Sequence, residues 1–190
     1  MKLFEMILDE EAIANGVDAI SLVQQPAIEA NFVALSKLEP VGLKFATVND
    51  EKRIIMGAVL IPNKPILRLD EQGEPFHIFF SEETINKASQ LFLKRGYQNS
   101  ATLEHSVKLQ GVTVVESWMV ESKEMDKSKL HNLEVEDGAW VVSMHIENSD
   151  VWSEYVKSGQ VKGFSIEGWF NQTKVENKKQ RLTAKIRKTI

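Results

Sequence analysis

Cysteine is absent from the 190 residues, which excludes disulfides, thiolate metal sites and a cysteine nucleophile. No apolar stretch approaches the length needed to cross a bilayer, so no membrane partner is expected. The start, Met1-Lys2-Leu3-Phe4-Glu5-Met6, reaches Asp9-Glu10-Glu11 before any long apolar run develops. It lacks the unbroken apolar segment of a signal peptide, and secretion is not expected. An excess of positive charge is also missing: the net charge is −4, which argues against a general nucleic-acid binder. Neither H-x-x-x-H nor H-E-x-x-H spacing occurs, so a zinc site has little support and no cofactor is expected. We find no internal repeat and no low-complexity tract.

What is present suits a soluble globular domain with appended arms: 43% hydrophobic and 26% charged residues. Charge is distributed unevenly. Between Thr173 and the C-terminus stand Lys174, Lys178, Lys179, Arg181, Lys185, Arg187 and Lys188, opposed by Glu176 alone. Such a tail reads as a solvated arm or as a docking site for an acidic partner.

Three regions follow from the pattern. Residues 1–50 read as an extension with short helical pieces, among them Pro26 to Leu35 with Ile28, Phe32 and Leu35 on one face. Residues 51–172 form a β-rich body, and 173–190 the basic tail. Within the body, 54–61 is a buried strand, and 66–69 with 76–80 form a hairpin around Asp70-Glu71-Gln72-Gly73. Ser81 is placed to cap a helix running to about Lys94, with Ile85, Ala88 and Phe92 as its apolar stripe and Gly96 as its stop. Strands at 101–109 and 112–120 precede a polar segment, 121–138, that reads as a mobile loop. A strand at 140–146, a short helix at 150–158 and a strand at 161–170 complete the body. Short strands with recurring turn signals predict a mainly β fold with peripheral helices (α+β), as a small antiparallel barrel or a tightly curled sheet.

Two segments carry candidate chemistry. Taking Gln110-Gly111 as a two-residue hairpin turn, Leu109 faces Val112, Val107 faces Val114 and His105 faces Glu116. One face of that hairpin is then apolar except for His105 and Glu116. A carboxylate against one imidazole nitrogen fixes the tautomer and leaves the other free to accept a proton from a nucleophile. The same pair also reads as a satisfied polar contact at a barrel rim. His77, His131 and His145 carry no such partner pattern.

The second segment is Lys162-Gly163-Phe164-Ser165-Ile166-Glu167-Gly168, a serine between two glycines in an apolar strand. Glycine inside a strand marks a bulge or the close approach of another backbone. Its spacing is not the G-x-S-x-G nucleophile elbow, which disfavours an α/β-hydrolase.

Together with Thr102-Leu103-Glu104-His105, Val115-Glu116-Ser117-Trp118 and Ala139-Trp140-Val141-Val142-Ser143-Met144, this segment resembles the XkdF-like phage serine proteases. That group is related to the prohead proteases of tailed phages. Val151-Trp152 and Val156-Lys157-Ser158-Gly159 extend the likeness, which covers roughly residues 54–170. The resemblance implies a β-barrel of the herpesvirus-assemblin type, with His105 and Ser165 as the catalytic pair. It implies a serine endopeptidase acting in the host cytoplasm, inside the assembling procapsid. Its substrates would be scaffold and capsid-protein extensions, and the protease itself; self-association is left open. Herpesvirus relatives place a second histidine after the serine, and none follows Ser165 here. Glu116 is the first choice for the third member, on the cross-strand argument. Glu167, two residues from Ser165 and on its strand face, comes second and His145 third. Oxyanion donors are sought near Gly163 or Gly168, or in the basic segment. The competing reading is a non-enzymatic barrel protein of phage assembly, or a module gripping an acidic scaffold or nucleic acid through the tail.

Overall fold

A computed structural model of the chain describes residues 2–9, 12, 15–28, 33–34 and 52–175. Its strands are β1 (Lys2–Ile7), β2 (Gly16–Val23), β3 (Val33–Ala34), β4 (Ile54–Leu60), β5 (Ile66–Leu69), β6 (Pro75–Phe80), β7 (Ala101–Leu103), β8 (Val107–Leu109), β9 (Val112–Met119), β10 (Trp140–Ile146), β11 (Gly163–Trp169) and β12 (Asn171–Lys174). One α-helix, α1 (Glu82–Lys94), and a π-helical segment at Val151–Lys157 accompany them. The fold is therefore mainly β with peripheral helices.

The strands form three four-stranded sheets, ordered β12-β1-β6-β5, β3-β4-β10-β9 and β11-β2-β7-β8. Among the described residues none of them closes on itself, so the expected barrel is not what the strand pairing gives. The reason lies at Gly111. The Gly111 carbonyl accepts from the Glu147 and Asn148 amides, and β9 pairs with β10 over its whole length. β8 pairs with β7 instead. Gln110-Gly111 is thus a crossing between sheets, and the expected 101–120 hairpin does not form.

The N-terminal forty residues also differ from expectation. Where described, they hold strands. β1 pairs in parallel with β6 and antiparallel with β12. β2 lies between β11 and β7. Residues 27–28 form a turn rather than helix; much of the Pro26 to Leu35 stretch, and all of the tail beyond Val175, lies outside the described residues.

The core explains the remaining elements. Ile55, Met56, Val59 and Leu60 of β4, and Trp140, Val141, Val142, Met144 and Ile146 of β10, are at most 1% exposed. Both faces of these strands are covered, which is why their sequences run apolar without alternation. Each such side chain contributes about 1.5–3 kcal/mol by leaving water. Helix α1 buries Ile85, Ala88 and Phe92, as its stripe predicts, and the Phe92 ring meets Trp140 edge-on at 5.6 Å. Ser81 occupies its N-cap in an extended conformation, with its hydroxyl 3.1 Å from Thr84 Oγ1. Glu82 and Glu83 complement the positive first turn, and Gly96, at φ 77°, ends the helix. The segment 121–138 is anchored rather than loose. The Val120 amide donates to the Ala139 carbonyl at 2.9 Å and the Gly138 amide returns to the Val120 carbonyl at 2.8 Å. Inside it, Asp126 accepts from the Ser128 amide at 2.8 Å and from Trp118 Nε1 at 3.0 Å.

Candidate active site

The sheet β11-β2-β7-β8 collects the candidate residues. Ser165 is the register partner of Ser21, and Glu167 of Ala19; on the far side of β2, Ser21 is the partner of Thr102. Residues directly opposite share a face, as do residues two apart on one strand. Ser165, Glu167, Ser21 and Thr102 therefore stand on one side of the sheet. Phe164, Ile20 and Leu22, all fully buried, point into the core from the other.

His105 is delivered to that face by a turn. Leu103-Glu104-His105-Ser106 reverses the chain between β7 and β8, with the Ser106 amide donating to the Leu103 carbonyl at 3.0 Å. Glu104 and His105 both hold positive φ, 49° and 56°, the backbone twist that suits a two-residue hairpin. β2 and the residue that follows it hold this turn in place. The Glu104 amide donates to the Leu22 carbonyl at 3.0 Å, the Gln24 amide donates to Glu104 Oε1 at 2.7 Å, and the His105 amide donates to Ser21 Oγ at 2.9 Å.

The imidazole meets a carboxylate, and it is that of Glu167. His105 Nδ1 lies 3.3 Å from Glu167 Oε1, the same oxygen that accepts from the Thr102 hydroxyl. Both His105 and Glu167 side chains are partly exposed, while Ser165 is 9% exposed. With Nδ1 engaged by a carboxylate, the chemistry left to the ring is proton exchange at Nε2. Gly168 fulfils both meanings of a strand glycine. The register shifts between Glu167 and Gly168, and a Cβ at Gly168 would lie 2.0 Å from the Gly16 carbonyl oxygen. The bulge thus falls immediately beside Glu167. A cavity of about 280 Å³ borders β11, lined in part by Leu60, Arg68, Phe80, Phe164, Ser165 and Phe170.

Glu116 stands elsewhere, in the β9–β10 pair, and has no contact with His105. Ser143 Oγ donates to its Oε2 at 2.5 Å, and Lys127 Nζ binds its Oε1 at 2.7 Å while sitting 4.0 Å over the Trp118 ring. The Lys127 hydrogen bond first, then that of Ser143, hold its carboxyl below the usual range. The His105–Glu116 pairing expected from the sequence is thus replaced by His105–Glu167, because the chain turns at Glu104-His105 and not at Gln110-Gly111. His145, the third choice, lies 3.8 Å from Glu147. His77 is in β6, in register with Leu67 and Leu3. His131 ends the short turn Lys127–His131, where burial and then the nearby Lys127 charge depress its pKa. Ser21 and Thr102 were not singled out by sequence reasoning. The available signal for Ser21 was a polar residue inside Ile20-Ser21-Leu22-Val23, a run otherwise fit for a central strand. Among the described residues no three His, Asp or Glu side chains gather as a metal site.

The sequence model of a family described as "Putative phage serine protease XkdF" matches residues 43–174. The chain belongs to this family. Membership makes it a phage protein of the serine-protease class, with phage proteins as its general kind of substrate. No curated protein and no solved structure matches it. β2 and its Ser21 precede the matched residues, whereas β7, the His105 turn and β11 all fall inside them.

Proposed function

We propose that this XkdF-family chain is a serine endopeptidase in which Ser165 is the nucleophile, His105 its general base, and Glu167 the carboxylate that orients the imidazole. The observation that carries the reading is Glu167 Oε1 at 3.3 Å from His105 Nδ1, on a glutamate that shares a strand face with Ser165. In the acylation step, Ser165 Oγ attacks the scissile carbonyl carbon and its proton passes to His105 Nε2. Collapse of the tetrahedral intermediate breaks the C–N bond, and the imidazolium returns the proton to the departing amine. Glu167 stabilises the imidazolium and, by holding Nδ1, keeps Nε2 as the exchanging nitrogen. Thr102 supports Glu167 by donating to the same oxygen. Glu116, engaged by Lys127 and Ser143 in the β9–β10 pair, is left out of this mechanism.

The substrates we propose are the scaffold and capsid-protein extensions of an assembling procapsid in the host cytoplasm, together with the protease itself. The assemblin likeness belongs to the same proposal and rests on the family resemblance, since the described sheets are open. Co-expression with the neighbouring scaffold and capsid proteins, followed by intact-mass spectrometry, tests it. Fragments are expected with the wild-type chain and not with a folded Ser165→Ala variant. The same fragments with both chains would show Ser165 not to be the nucleophile, and assembled capsids without fragments would favour a non-enzymatic assembly protein.

A further inference from the structure

We propose that Ser21 is a positioning residue for His105, so that the site includes an N-terminal strand lying outside the residues the family model matches; this rests on the protease reading above. Ser21 is fully buried in the centre of the sheet, between Ile20 and Leu22, which are equally buried. A hydroxyl in such a place is unfavourable unless it is hydrogen-bonded, and its partner is the main-chain N–H of His105, at 2.9 Å. That N–H belongs to the second of two consecutive non-glycine residues at positive φ. Each such conformation is unfavourable and persists only where its surroundings enforce it. Three of the bonds that enforce it come from 21–24: Ser21 Oγ to His105, the Leu22 carbonyl to Glu104, and the Gln24 amide to Glu104.

Ser21 is also the cross-strand partner of Ser165. The residue that fixes the main chain of the base is therefore the immediate neighbour of the nucleophile across the sheet. An alanine there would leave the His105 amide without its acceptor and relax the turn. Displacement of a reacting group by about 1 Å is enough to slow chemistry roughly 10²-fold.

Fluorophosphonate labelling of Ser165 in the purified full chain tests this without knowledge of the natural substrate. For Ser21→Ala we expect the maximal labelling rate to fall about 10²-fold, with half-saturating probe concentration unchanged and the rise of rate with pH displaced. A structural role alone would lower the melting temperature and leave those kinetic readouts in place. Labelling of Ser21→Ala at the wild-type rate, with Ser165→Ala unlabelled, would overturn the positioning role and leave the protease reading standing. Labelling that persists in Ser165→Ala would remove both. If Ser21→Ala does not fold, hydrogen exchange at the His105 amide of the wild-type protein decides. Slow exchange is the expected result, and exchange at the rate of an open turn amide would overturn the proposal.

Discussion

Glu167 Oε1 lies 3.3 Å from His105 Nδ1 across 62 residues of sequence, and the pairing of β11 and β7 on either side of β2 brings the two together. The contact selects between the two glutamates that the sequence offers. Glu167→Gln should lower the maximal rate of Ser165 labelling roughly 10²-fold, since an amide holds the ring without stabilising its charged form. Glu116→Gln should leave that rate within about 2-fold, a change of under ~0.5 kcal/mol in the barrier. The opposite ranking would return Glu116 to the site.

Under the proposed mechanism, removing Ser165 or His105 should cost far more than removing the Glu167 carboxylate. Ser165→Ala and His105→Ala are each expected to lower cleavage by roughly 10⁴-fold or more, and the double variant should be little worse than either alone. Intact-mass spectrometry of a co-expressed substrate reads this directly. Additive losses would mean that the two residues do not act in one step.

Acid should destabilise the protein through Glu116. Its folded-state carboxyl is held below its ordinary value by Lys127 and Ser143, so it contributes stability at neutral pH. That contribution is lost as pH falls through and below the ordinary glutamate range near about 4.3. His131, depressed chiefly by burial, acts with the same sign and begins to lose its share nearer pH ~6.5. Urea midpoints measured from pH 7 to pH 3.5 should fall for the wild type and fall less for Glu116→Gln. Identical slopes would show that the Glu116 contacts are not maintained in solution.

Gly168 should tolerate no side chain. A Cβ there would collide with the Gly16 carbonyl oxygen at 2.0 Å, a backbone atom that can yield only by moving β2. Gly168→Ala is expected to cost about 3 kcal/mol, at the upper end of ordinary overpacking. Labelling of Ser165 should fall as well, because the register shift that the glycine permits is adjacent to Glu167. A thermal midpoint within about 2 °C of wild type would show that the strands separate without loss.

Much of the site could be read from the chain because its signals are local. Ser165 between Gly163 and Gly168 marks a strand with a close neighbour, and period-two alternation puts Glu167 beside it. Glu116 looked the better partner because Gln110-Gly111 has the chemistry of a hairpin turn, whereas Glu104-His105 does not. A pair of non-glycine residues at positive φ carries no compositional warning; it is enforced by β2, whose bonds to it come from residues 21–24. β2 was itself obscured. It sits in a region otherwise poor in strand pattern, and its partners lie far along the chain. The same non-local pairing leaves the sheets open among the described residues, and strand count and turn spacing do not say which edges meet.

The place of β2 between β7 and β11 also sets an order of events. Ser165 pairs with a residue 144 positions earlier, and pairings of such separation are slow to form. As the chain emerges during synthesis, β2 and the His105 turn are available long before β11. Under the proposed mechanism Ser165 joins His105 only once β11 has been made, so a growing chain that stops short of β11 holds the His105 turn with no serine beside it.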